Sequence, residues 1–147
     1  YLTQLIVVTF LQFVSAATGI AALVALFNGM KEKTTNELGN FWNYLVKSIT
    51  RILLPLSIVV AVILAFNGTP TSYDGKDSIV TLQGDSVQLS RGPAAGMIAI
   101  KQLGTNGGGW FGVNSAHPLE NPNYLTNAVE TISILLIPVK QTSTQSS

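Results

Sequence analysis

The chain has 147 residues, the length of a single domain, with 47% hydrophobic residues, 10% charged residues and a formal net charge of +1; a soluble globular domain carries about 25% charged residues. A mean hydropathy of +0.40 favours a membrane protein, and so small a charge, with no basic cluster, argues against a nucleic-acid partner. Cysteine is absent, which excludes disulfides and thiolate metal sites and leaves the compartment open.

No initiator Met and no basic leader precede the apolar start, so Tyr1 reads as an internal boundary and the chain as a fragment. Residues 3–27 carry no charge. At about 1.5 Å per residue they exceed a hydrocarbon core of roughly 30 Å, and a transmembrane helix is expected over 1–27. Gln12, Ser15, Ala16 and Gly19 share one helical face; a small, polar stripe suits a packed membrane interface or the lining of an ion path. Residues 28–43 form a polar connection in which Thr34 to Glu37 resembles a helix start. Lys31 and Lys33, with Lys47 and Arg51 beyond, outnumber Glu32 and Glu37, which puts this loop on the cytoplasmic side. Phe41, Trp42, Tyr44 and Leu45 suit an interfacial segment.

The apolar run 52–66 spans a bilayer only if its helix begins near Tyr44. A second transmembrane helix is therefore expected over 44–66, with Lys47 and Arg51 snorkelling and Pro55 producing a kink; a soluble buried helix is the alternative. Residues 67–92, where Asp74, Asp77 and Asp85 outnumber Lys76 and Arg91, make an extracytoplasmic loop. Short alternations around Gly84-Asp85 predict a small hairpin in it.

Residues 93–127 begin with a short apolar helix, about 93–103, that leads into Gly104-Thr105-Asn106-Gly107-Gly108-Gly109. Ordinary helices and strands do not tolerate three consecutive glycines, so the run marks backbone held in an unusual conformation or closely approached. A short helix and a glycine-rich loop between spans suggest a re-entrant pore loop, in which backbone carbonyls replace an ion's water shell. The final apolar run stops at the polar residues 140–147, and 128–147 is expected as a truncated transmembrane helix with a polar tail.

Competing chemistries find little support. Gly107, Gly109 and Gly112 fit G-x-G-x-x-G, but a hydrophobic helix precedes them, no βαβ unit is available and no Walker lysine follows. His117 is alone and without a carboxylate pair, so a structural hydrogen-bonding role is expected rather than metal ligation. Glu120 is expected as an interfacial or loop partner. Glu130 lies about one turn into an apolar run, where a carboxylate is near the surface, paired within the bundle or coupled to transport. Lys101 ends the short helix, where a cation suits the C-terminal dipole or shapes the field around the loop.

The blocks Gly104 to Gly109, Asn114-Ser115-Ala116-His117-Pro118, Glu120-Asn121-Pro122 and Leu125-Thr126-Asn127 together resemble the potassium-binding A subunit of the bacterial Kdp potassium-transporting P-type ATPase. Leu2-Thr3-Gln4, the run Ser15 to Ala21 and Leu38-Gly39-Asn40 extend the resemblance over residues 1–139. It implies an all-α membrane protein of the potassium channel and transporter type, with four helix–pore-loop–helix repeats around a central filter. This chain would hold the end of repeat one, the first helix of repeat two, and that repeat's pore helix and filter.

By the same resemblance, Thr105, Asn106, Gly107, Gly108 and Gly109 form the selectivity filter, and the carbonyls of Thr105, Asn106 and Gly107 hold potassium. Lys101, Gly104, Trp110, Phe111, Asn114 and His117 support the filter; Trp110 stands where the family usually has Phe, which keeps an aromatic buttress. Residues 140–147 depart from the apolar helix the family has there. The resemblance further implies a multi-pass protein of the bacterial cytoplasmic membrane with potassium as transported ligand. It implies no cofactor or catalytic site in this chain, and ATP used by a P-type partner subunit accompanied by small accessory subunits. A gradient-driven potassium channel or symporter without that partner is the alternative. A third reading is a membrane-anchored binding module with 67–92 as its functional face.

Overall fold

The structure, a computed structural model, describes residues 2–31 and 40–143. The helix start expected at 34–37, with Glu32, Lys33 and Glu37, lies outside the described residues, as does 144–147 of the polar tail. The first helix, α1 (Leu2–Lys31), has 30 residues and a length of about 45 Å.

Asn40 opens the next helix, its side-chain oxygen accepting the Asn43 N–H at 3.2 Å. This cap starts α2 (Phe41–Ser48) about one turn before the position expected from hydropathy. The chain then passes through a π turn (Ile49–Leu53) into α3 (Leu54–Phe66). The turn accounts for Pro55. Proline lacks an N–H and its ring crowds the preceding turn of an α-helix; the wider turn, in which the Leu54 N–H reaches the Ile49 carbonyl, makes room. Lys47 and Arg51 are both exposed.

Only 28% of the most apolar stretch of α1 and 22% of that of Phe41–Phe66 is buried. A soluble core helix would bury most of its apolar surface. Here Ile6, Phe10, Ile58 and Val59 point outward, as lipid-facing residues do.

Strands β1 (Lys76–Val80) and β2 (Ser86–Ser90) form an antiparallel hairpin in which Ile79 faces Val87. Thr81 closes its turn by taking the Gly84 N–H on its carbonyl and the Asp85 N–H on its hydroxyl, with Gly84 at a φ of +91°. The fold is thus mostly helical with one small sheet among the described residues, rather than wholly helical.

The centre of the molecule is α4 (Ala94–Leu103), which begins after Pro93 and packs against α1, α3 and α5 (Tyr124–Ser143). Every residue of α4 except Gly96 is buried, including Lys101 and Gln102. Val60 and Leu64 of α3 pack with Ala94, Ala95, Met97, Ile98 and Trp110 on one side of it. Ala16, Ala17 and Ile20 of α1 pack with Leu53 and Ile100 on the other. Asn123 caps α5 by accepting the Thr126 N–H at 2.9 Å, while the Thr126 hydroxyl accepts the Asn123 N–H. The helix runs on through residues 140–143, where a polar tail was expected, with Pro138 inside it.

Candidate functional site

The glycine-rich loop leaves α4 through a Schellman cap. The Thr105 N–H bonds the Gln102 carbonyl at 3.2 Å and the Asn106 N–H bonds the Lys101 carbonyl at 3.1 Å. The left-handed position in this cap normally holds glycine, but here it holds Thr105 at a φ of +53°. A β-branched residue adopts that conformation only when its surroundings impose it. Asn106 then ties the loop to α1, its side-chain amide donating to the Gln12 carbonyl at 3.0 Å.

Gly107 and Gly108 follow at φ values of +72° and +75°, which explains two of the three consecutive glycines. The third is required by proximity: a Cβ on Gly109 would overlap the Gly112 carbonyl and lie 2.9 Å from Glu120 Oε1. The Gly108 carbonyl accepts the Asn114 N–H at 2.7 Å, folding the loop back on itself. Trp110 is buried in the α3–α4 core, and its indole occupies the space a Cβ on Gly92 would need. Phe111 lies against His117 with ring centroids 5.2 Å apart. His117 Nδ1 accepts the Leu119 N–H at 3.2 Å, and its carbonyl takes the Glu120 and Asn121 N–H groups. The lone histidine therefore shapes a turn, and no cluster of three or more His, Cys, Asp or Glu side chains occurs among the described residues.

A buried polar network supports the loop from behind. Lys101 is fully buried, and its ammonium donates to Glu120 Oε2 at 2.8 Å and to the Ser115 hydroxyl at 2.5 Å. Glu120 Oε1 accepts two successive backbone N–H groups of the loop, Phe111 at 2.6 Å and Gly112 at 3.2 Å. Burial alone would push the Glu120 carboxyl up. The Lys101 ammonium and the two backbone N–H groups outweigh it and hold the group below its ordinary value of 4.5. Gln102 extends the network, donating to Ser115 Oγ at 2.9 Å and to Glu130 Oε2 at 2.6 Å. Glu130, for which pairing within the bundle was one expectation, is buried here, and its Oε1 has no hydrogen-bond partner among the described residues.

Lys101 thus does more than complement the α4 dipole, and Glu120 is a buried ion-pair partner that was absent from the expected support set. Gln102 and Ser115 were missed as well. The available signal was a lysine inside an apolar helix, which calls for a buried acid; nothing in the spacing selected Glu120 over Glu130.

On its other side the loop borders a cleft of about 440 Å³ lined by Ser15, Gly19, Thr105, Asn106, Ile137 and Pro138, among others. The small face of α1 therefore serves two purposes. Gln12 is buried in packing, Ser15 and Gly19 open onto the cleft, and Ala16 does both.

Two helices long and apolar enough to cross a membrane, a buried short helix and a strained glycine-rich loop are consistent with a subunit of a membrane transporter. Residues 1–145 match the family model of the potassium-transporting ATPase A subunit, KdpA, and the chain belongs to that family. It is 64% identical over 138 residues to a potassium-transporting ATPase potassium-binding subunit of Flavobacterium psychrophilum, covering 94% of this chain and 24% of that protein. Similar subunits of Bacteroides thetaiotaomicron and Pseudomonas syringae pv. tomato are 58% identical over 139 residues and 52% identical over 138 residues. These alignments cover 95% and 94% of this chain. The chain spans about a quarter of the length of these relatives.

Proposed function

We propose that residues 105–109 form one wall of a potassium selectivity filter, the second-repeat filter, in a multi-pass subunit of the bacterial cytoplasmic membrane. That subunit works beside an ATP-hydrolysing P-type partner and small accessory subunits in an ATP-driven uptake pump. The observation that carries this reading is the backbone between Thr105 and Gly108. Three of its four residues have positive φ, and it is pinned at Asn106 and Asn114 and flanked by apolar helices. A rigid run of this kind can present successive carbonyls, those of Thr105, Asn106 and Gly107, to a dehydrated monovalent cation. The last turn of α4 directs the negative end of its dipole toward the same place. ATP hydrolysis is assigned to the partner subunit. The names of the relatives favour a pump over a gradient-driven channel or symporter, and co-purification with an ATP-hydrolysing subunit separates the two.

The test is potassium-stimulated ATP hydrolysis by the assembled complex, with Gly107 intact or replaced by Ala, over a range of potassium concentrations. A Cβ at position 107 would demand a strained φ and stand 3.2 Å from Asn114 Oδ1. The half-saturating potassium concentration should rise by about tenfold or more. An unchanged curve would leave this loop with a structural role only.

A further inference from the structure

We infer that Glu120 is a positioning residue for ion selection. Its carboxylate sets the outer end of the glycine-rich loop against the last turn of α4, with Lys101 and Ser115 holding it in place. This rests on the filter reading above and adds a group to it that carries no filter carbonyl. Lys101 meets the loop at both ends. Its carbonyl takes the Asn106 N–H at the loop's beginning, and its ammonium holds Glu120, whose other oxygen takes the Phe111 and Gly112 N–H groups at the loop's end. The loop is thereby closed into a ring whose span is fixed by one ion pair with no exposed side-chain surface on either partner.

Two further features indicate that this span is under constraint. Gly109 and Gly112 approach so closely beside Glu120 that no side chain fits at 109. Asn114 and Ser115 both adopt positive φ, at +51° and +57°, and Ser115 is held there by bonds from Lys101 and Gln102. A shift in the carboxylate would therefore move backbone on both sides of Gly107 and Gly108. Discrimination between cations depends on how accurately such carbonyls are held. Glu120 acts on the ion through that backbone and touches none of the proposed ligands.

The experiment uses the full-length subunit in its assembled complex, with Glu120→Gln and, separately, Ser115→Ala. The amide of the first keeps the shape but turns a donor toward either Lys101 or the Phe111 N–H; the second removes one hydroxyl and leaves all charges in place. Half-saturating potassium, the maximal rate at saturating potassium and inhibition by sodium are measured for each. The expected result is a rise in half-saturating potassium of at least about tenfold for Glu120→Gln and about threefold for Ser115→Ala. The maximal rate should be largely kept and sodium should compete better.

A purely structural role would lower the amount of complex and the maximal rate without moving either ion-dependent quantity, which would overturn the inference. If Glu120→Gln does not assemble, Ser115→Ala decides alone by the same criterion. Gly107→Ala measured in parallel separates two failures. Altered potassium dependence there with none at 115 or 120 removes the role of Glu120, and no change at any of the three positions removes the filter reading itself.

Discussion

Glycine is needed at residue 109 for a different reason than at residue 19. At 109 the obstacle is the Gly112 backbone, which cannot rotate away, so Gly109→Ala should lower the stability of the subunit by at least about 2 kcal/mol, the range for overpacking. At Gly19 a Cβ meets nothing within 4 Å, and Ala there should add up to about 1 kcal/mol of helix propensity. Thermal unfolding of the solubilised full-length subunit compares the two. A loss at 19 would mean that the remainder of the subunit fills the cleft beside α1. Glu120 gives a pH-dependent counterpart. Its carboxyl is held below 4.5 in the folded chain, so its contribution is fully present above 4.5 and is lost as pH falls through the lower, folded value. Glu120→Gln should therefore be less stable by about 3 kcal/mol or more at neutral pH, since it leaves Lys101 buried without its counter-charge. Its acid unfolding curve should be flatter below pH 4.5. A parallel displacement of the whole curve would show that the carboxylate is not ionised in the fold.

Among the elements, Phe41–Phe66 is set apart by its irregularity. The π turn before Pro55 accommodates one extra residue, which rotates everything before it by roughly 100° relative to a regular α-helix. Ser48, just before the turn, is buried in that phase. Pro55→Ala should let the turn revert, and a cysteine introduced at 48, buried in the parent, should then become reactive to a maleimide. Unchanged protection would assign the π turn to packing against α1 instead of to proline. The hydropathy pattern made the helix and its disturbance at Pro55 legible, because length and a missing N–H are local properties. The starting residue was not, since the Asn40 cap depends on one hydrogen bond that hydropathy does not register. The glycine loop was legible for the same local reason: φ > 0 restricts residue type. The network behind it was not, because Ser115 and Glu120 reach Lys101 only when the loop folds back, and Glu130 reaches Gln102 only after α4 and α5 pack; sequence spacing holds no record of those contacts. Thr105 in the left-handed position of the cap was likewise hidden, as local preference there would have chosen glycine.

On the scale of the whole molecule, the filter reading proposed above makes the described residues one side of a site. Thr105 and Gly108 are exposed, Asn106 and Gly107 half-buried, and Thr105 and Asn106 border the cleft between α1 and α5. A cation stripped of water needs oxygens on all sides, and a single loop supplies carbonyls from one direction. Residues 1–147 reconstituted alone in lipid vesicles should therefore insert as helices, visible by circular dichroism, yet neither bind potassium saturably nor carry it across the bilayer. The full-length subunit should bind it. Saturable binding by the short chain would mean that Ser15, Thr105 and their neighbours complete a coordination shell without the other three-quarters of the protein. The filter would then be a property of one repeat and not of a closed ring. Failure of the full-length subunit to bind while it remains folded would move the ion to another part of the complex. The filter reading calls for the ring: the network anchored at Lys101 and Glu120 holds the ends of the loop, while Thr105 and Gly108 keep exposed surface.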